Sequence, residues 1–142
     1  IAAICSAIGA AYGGHMAITT SSGPGIALKG EAIGLAIMLE LPLLVINIQR
    51  GGPSTGLPTN VEQSDLNIAC YGGHGDSPRI VLAPASVQEA VDLTARSFRL
   101  AETYRIPYQY IAVRKDAKDE AEKMQQAILH REQVDDMHGA HI

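Results

Sequence analysis

Met16-Ala17-Ile18-Thr19-Thr20-Ser21-Ser22-Gly23-Pro24-Gly25 leads from a β-prone segment into a turn, and Leu43-Leu44-Val45-Ile46-Asn47-Ile48 follows further on. Residues 16–19 read as a short strand and 20–25 as a turn cluster. Residues 26–40 then read as a helix, with Pro24 placed where a first-turn proline is tolerated. Residues 43–48 form a continuous apolar run rich in Val and Ile, the pattern of a strand buried on both faces. Strand, helix and buried strand in that order make a parallel βαβ unit. The small residues Gly30, Ala32, Gly34 and Ala36 let the intervening helix pack close to its neighbours.

The same alternation extends in both directions. Upstream, Ile1, Ile4 and Ile8 recur at helical spacing, and Gly13-Gly14 ends that helix. Downstream, residues 49–60 form a long polar loop. Asn60 and Gln63 are a capping pair for a helix through about Cys70. Residues 71–76 are loop, and 79–83 a strand. Ser86 with Glu89 forms a capping box. It opens a helix to about Tyr104, with Val87, Ala90, Val91, Thr94, Phe98 and Ala101 on one face. Residues 108–113 are a last strand. Asp116 caps a charged helix burying Ala117, Ala121, Met124 and Ile128, and the tail after Arg131 is polar. The expectation is an α/β fold: a three-layer parallel sheet with helices on both faces. It assigns residues 1–113 to one domain and 114–142 to a C-terminal helix and polar tail without an assigned role.

Composition narrows the function classes. The chain has 142 residues, enough for one domain and one core. With no Trp and a single Phe, that core is built from Ile, Leu, Val and Ala. The net charge of −4 and the lack of a basic face exclude nucleic acid as a partner. The longest apolar stretch is interrupted by Glu40, Pro42 and Asn47, too short to span a bilayer. Cys5 and Cys70 share no metal-ligand spacing, so the expectation is no metal or iron–sulfur cluster on this chain. Two thiols without a secretory signal fit a cytoplasmic setting. The opening Ile1-Ala2-Ala3-Ile4, already helical and without Met, reads as a truncated start.

Two loops carry the chemistry. Ser21-Ser22-Gly23-Pro24-Gly25 lies at a strand's carboxyl end, where open parallel sheets bind ligands. Its glycines allow close backbone approach; the competing reading is a plain tight turn. It is neither a Walker A loop nor a dinucleotide fingerprint. Gln49-Arg50-Gly51-Gly52-Pro53-Ser54-Thr55-Gly56-Leu57-Pro58-Thr59 is longer than an ordinary βα connection, and such loops tend to be functional. Arg50 stands where a guanidinium could grip a carboxylate through two parallel hydrogen bonds. The competing reading pairs it with Glu62 or Asp65. Apolar Leu57 and Ile26 beside these loops suggest a covering partner. His74, among glycines in Gly72-Gly73-His74-Gly75-Asp76, is an acid–base candidate or a solvent-exposed loop residue. His15 reads as structural, and His130, His138 and His141 show no ligand spacing. Neither Ser22 nor Ser54 sits in a nucleophile motif.

These loops, with Glu62-Gln63-Ser64-Asp65-Leu66 and Tyr71-Gly72-Gly73-His74-Gly75-Asp76 following in order, carry a resemblance. The first loop and helix resemble pyrimidine-binding domains of thiamine-diphosphate enzymes, acetolactate synthases included. The whole series resembles the alpha subunit of 2-oxoacid:acceptor oxidoreductases, most like the 2-oxoglutarate:ferredoxin type, over residues 1–107. The resemblance implies oxidative decarboxylation of a 2-oxoacid to the acyl-coenzyme A, with electrons passed to ferredoxin. It implies thiamine diphosphate and magnesium shared with a beta subunit, and an iron–sulfur cluster in a partner subunit.

Carried onto this chain, the resemblance gives Arg50 to the substrate carboxylate. Ser21, Ser22, Gly23, Pro24 and Gly25 fall to the cofactor pocket, and Gly51, Gly52, Ser54 and Thr55 to a substrate or interface loop. The family's activating glutamate and its Tyr-Pro-x-Thr-Pro segment belong upstream of Ile1, and its Gly-Asp-Gly diphosphate motif is not in this sequence. The chain by itself is therefore expected to be inactive. Residues 108–142 depart from the family pattern. The alternatives are an acetolactate-synthase-like domain, against which the long Arg50 loop argues, and a non-catalytic α/β interaction module.

Overall fold

A computed structural model describes residues 1–113. The expected helix from Asp116 and the tail histidines lie outside the described residues. Nine elements follow one another: α1 (Ala2–Tyr12), β1 (Ile18–Ser21), α2 (Gly23–Ala27), α3 (Gly30–Met38), β2 (Leu44–Gln49), α4 (Leu66–Tyr71), β3 (Ile80–Leu82), α5 (Val87–Tyr104) and β4 (Tyr108–Val113). The strands form one parallel sheet in the order β1-β2-β4-β3. Ile18 lies opposite Leu44, and Leu44 opposite Tyr108.

The order explains where the helices go. The chain moves one way across the sheet from β1 to β2 to β3, then turns back to insert β4. Crossovers between parallel strands are right-handed, so forward and returning connections fall on opposite faces. Ile26 of α2, Ile33 and Ala36 of α3 and the α1 residues Ile4, Ala7 and Ile8 cluster with Val45, and Ile68 of α4 packs against them. The returning α5 gives Ala90 and Ala101 to a second cluster with Leu44 and Ile46. Alternate β2 residues point to opposite faces, so both faces of this central strand are covered by helix. Leu44, Val45 and Ile46 are at most 2% exposed, as a continuous apolar run requires.

Several boundaries differ from expectation. The helix expected over 26–40 is two helices, broken at Leu28 and Lys29. The break turns Lys29 inward, where its Nζ donates to Thr19 Oγ1 at 2.8 Å and to the Thr20 carbonyl at 2.9 Å, while Leu28 stays 62% exposed. The Asn60–Gln63 capping pair does not form, and α4 begins only at Leu66. Both β1 and β2 end later than their apolar patterns. The Ser86 box is present: Ser86 Oγ accepts from the Glu89 N–H at 3.2 Å, and Glu89 Oε2 reaches back to the Ala85 N–H at 2.7 Å. Val87 is exposed, and Ser97 takes a buried place on α5. Pro24 sits in the first turn of α2.

Candidate functional site

In a parallel sheet every carboxyl end lies along one edge, so the loops after β1 and β2 emerge side by side. Ser21 at the end of β1 is in register with Asn47, two residues before the end of β2. The loops meet at Gly23 and Arg50: a Cβ built on Gly23 would lie 4.0 Å from Arg50 Nε. Gly23 has φ +25°, a value that side-chain-bearing residues rarely adopt. A Cβ on Gly25 would fall 2.0 Å from Ser21 Oγ. The first loop therefore presents bare backbone, with Ser21, Ser22 and Pro24 half-buried around it.

Lys29 supports this loop from below. It is 4% exposed, and among the described residues no carboxylate pairs with it. Burial lowers its pKa, because the charged ammonium loses water without gaining a counter-charge.

The second loop is internally braced. The Gly51 N–H donates to the Asn60 carbonyl at 2.9 Å, and the Leu57 N–H to the Gly51 carbonyl at 3.0 Å. The Gly52 N–H donates to Glu62 Oε2 at 2.9 Å. Gln49, 1% exposed, accepts the Asp65 N–H on its Oε1 at 3.2 Å. These bonds explain the late start of α4: the chain between Leu57 and Asp65 is committed to the strand end. Gly56 (φ +50°) and Ser54 (φ +56°) are both left-handed, which for Ser marks a conformation imposed by its surroundings. Gly51 is buried, whereas Ser54 and Thr55 are exposed.

Arg50 is half-buried and, among the described residues, pairs with neither Glu62 nor Asp65. Glu62 is taken by the Gly52 N–H. Among the described residues, the side-chain polar atoms buried without a partner are Nδ2 and Oδ1 of Asn47, Nε of Arg50 and Oδ2 of Asp65. All belong to the last residues of β2, the residue after it, and the residue tied to Gln49. Buried polar atoms ordinarily find partners, which sets these positions apart from the rest of the described residues. Sequence reading found Arg50 but missed Asn47, Gln49 and Lys29. The one legible signal was a polar Asn47 and Gln49 closing an otherwise apolar strand.

Other expected features lie elsewhere. A cleft of about 620 Å³ separates α3 from the 72–79 loop and is lined by His74, Asp76 and Arg79 among others. His74 is exposed there, and none of residues 21–25 or 49–60 lines it. Ile26 is a core residue at 2% exposure, so of the two apolar side chains expected beside the loops only Leu57, 57% exposed, meets solvent. His15 is exposed as well. Among the described residues no helix is long and apolar enough to cross a membrane.

Comparison with known proteins gives a consistent picture. Residues 1–136 match the family described as "Pyruvate flavodoxin/ferredoxin oxidoreductase, thiamine diP-bdg". The chain is 56% identical over 107 residues to the 2-oxoglutarate oxidoreductase subunit KorA of Mycobacterium tuberculosis, covering 75% of this chain and 16% of that protein. It is 50% identical over 107 residues to the 2-oxoglutarate synthase subunit KorA of Methanothermobacter marburgensis, covering 75% and 28%. Among solved structures, the 2-oxoglutarate:ferredoxin oxidoreductase from Magnetococcus marinus, with 2-oxoglutarate, coenzyme A and succinyl-CoA bound, superposes with a TM-score of 0.76. That match has 51% identity and covers 78% of this chain and 19% of that one. The chain thus spans less than a third of the length of these relatives. A parallel sheet whose bare-backbone loop and unpaired arginine share one carboxyl edge, together with these matches, places the chain in the pyruvate flavodoxin/ferredoxin oxidoreductase family, in its thiamine-diphosphate-binding domain.

Proposed function

We propose that this chain forms part of the alpha subunit of a 2-oxoacid:ferredoxin oxidoreductase acting on 2-oxoglutarate. The reaction joins 2-oxoacid and coenzyme A, releases carbon dioxide and passes two electrons singly to ferredoxin, leaving the acyl-coenzyme A. The observation that carries this reading is Arg50. Its Nε is sheltered and unpaired at the carboxyl edge, beside Gly23. A guanidinium so placed can meet the 2-oxoacid carboxylate with two parallel N–H bonds. The identity to proteins named for 2-oxoglutarate favours this reading over an acetolactate-synthase-like domain or a non-catalytic module.

The loop of Ser21, Ser22, Gly23, Pro24 and Gly25 is suited to one side of thiamine diphosphate. Its bare backbone admits a flat ring, and the orphaned polar atoms of Asn47 and Asp65 lie on the same edge. Thiamine diphosphate, when bound, supplies the electron sink for decarboxylation. Magnesium and the diphosphate are assigned to a beta subunit, and the iron–sulfur cluster to a partner subunit, as the family resemblance implies. Gly51 and Gly52 serve as spacers, because their N–H groups are already used inside the loop. The exposed Ser54, Thr55 and Leu57 face the partner subunit or substrate. Residues 1–113 act as the pyrimidine-side domain, with 114–142 as a separate C-terminal segment, in a cytoplasmic complex.

The test is turnover by the complete enzyme. It should form succinyl-coenzyme A from 2-oxoglutarate and coenzyme A while reducing ferredoxin, and do so only with thiamine diphosphate present. Turnover without coenzyme A, or carboligation of pyruvate to acetolactate instead, would overturn the assignment.

A further inference from the structure

Arg50 is useful only if its loop holds still, and the structure shows what holds it. The segment from Gly52 to Ser64 is exposed, apart from its braces, and has no helix or strand of its own. A loop of this kind samples many conformations unless bonds fix it, and a binding group on it loses affinity in proportion. The braces are unequal. The Glu62–Gly52 bond is exposed to water. The Gly51–Asn60 and Leu57–Gly51 bonds close turns within the loop on its own backbone. The Gln49 bond joins the returning chain, sixteen positions on, to the last strand residue before Arg50, at the point where α4 begins. Gln49 is the last residue of β2, in register with Val113 of β4, and is 1% exposed. Its backbone is thus held by the sheet ladder, one residue before Arg50.

We propose that Gln49 is a positioning residue for Arg50. Its side-chain carbonyl fixes the return of the loop at Asp65, so that the guanidinium stays aimed across Gly23. This rests on the reading of Arg50 as the carboxylate-binding group. Gln49 itself does not touch substrate. Losing its acceptor leaves the Asp65 N–H unsatisfied in a half-buried place and loosens the link between the loop's return and the strand end, while β2 keeps its backbone pairing.

The experiment is steady-state kinetics on the complete enzyme, with 2-oxoacid and coenzyme A varied separately. Gln49→Met, of similar length but without an acceptor, should raise KM for the 2-oxoacid roughly fivefold, in line with losing one hydrogen bond, and leave KM for coenzyme A unchanged. Asp65→Pro removes the donor from the other side. The φ of −79° at Asp65 suits proline, so the same KM rise is expected even if Gln49→Met folds poorly. Asp65→Pro also removes the Asp65 carboxylate, whose Oδ2 is buried without a partner, so Asp65→Asn is its control; measured against that control, combining Gln49→Met with Asp65→Pro should add nothing further.

Arg50→Ala serves as the reference. If it raises the 2-oxoacid KM but neither Gln49→Met nor Asp65→Pro does, the positioning role is wrong and the reading of Arg50 stands. If Arg50→Ala is silent, both fall. Equal defects toward 2-oxoacid and coenzyme A in Gln49→Met and Asp65→Pro would show a general structural role and overturn the proposal.

Discussion

Gly56→Ala should open the Arg50 loop without unfolding the domain. Gly56 holds φ +50°, a left-handed conformation that costs a side-chain-bearing residue about 1 kcal/mol. The added Cβ would also lie 2.4 Å from the Gly51 carbonyl oxygen and 2.8 Å from Gly52 Cα. Both are backbone atoms and cannot rotate away. Relief requires the Gly51 peptide to move, and that breaks the bond its oxygen accepts from the Leu57 N–H, worth about 1 kcal/mol. The sum, about 2 kcal/mol, shifts the balance between closed and open loop roughly thirtyfold. Because the loop is largely exposed, little core is lost and the melting temperature should change slightly. Amide exchange in the segment between Arg50 and Asp65 should quicken by that factor, and kcat/KM for the 2-oxoacid should fall. Unchanged exchange with full activity would refute the idea that this loop is held in one preformed shape.

Three further outcomes follow from the same geometry. Gly25→Ala forces a Cβ onto Ser21 Oγ and should cost about 1–3 kcal/mol as overpacking; unfolding measurements should show much of this relieved when Ser21→Ala is added, and equal costs in both backgrounds would contradict the contact. Burial depresses the Lys29 pKa, so between the folded value and the ordinary lysine value of 10.5 the unfolded chain binds more protons and stability rises with pH; relative to Lys29→Met, the wild-type protein should gain stability as pH climbs toward 10.5, and a flat difference would show that Lys29 titrates alike in both states. Ser86→Ala removes the α5 cap and should cost about 1 kcal/mol in thermal unfolding, with no change in 2-oxoacid KM.

The sheet was legible because periodicity and turn chemistry agreed locally. The apolar run of residues 43–48 could be little other than a buried strand, and Ser86 with Glu89 announced α5. What escaped was set by contacts between distant residues. Residues 26–38 form an unbroken helical pattern, yet Lys29 breaks it to reach Thr19 and Thr20 on a neighbouring strand. Asn60 and Gln63 had the chemistry of a helix start, but the Asn60 carbonyl is taken by Gly51 and the Asp65 N–H by Gln49. Charge spacing offered Glu62 as a partner for Arg50, while the folded loop gives that carboxylate to the Gly52 N–H. The position of Arg50 at a strand end was readable from sequence; that it pairs with neither Glu62 nor Asp65 among the described residues was not, because that depends on where a loop of this length closes.

The central claim concerns what Arg50 binds, and the kinetics of Arg50→Ala and Arg50→Lys in the complete enzyme test it most directly. A charge-assisted bond of this kind is worth about 1.5–3 kcal/mol, so Arg50→Ala should lower kcat/KM for the 2-oxoacid about ten- to hundredfold. KM for coenzyme A should stay unchanged. Arg50→Lys should recover only part of the loss, since an ammonium keeps the charge but not the planar fork. An Arg50→Ala enzyme with unaltered 2-oxoacid kinetics, or with equal losses toward 2-oxoacid and coenzyme A and a lowered melting temperature, would contradict the account.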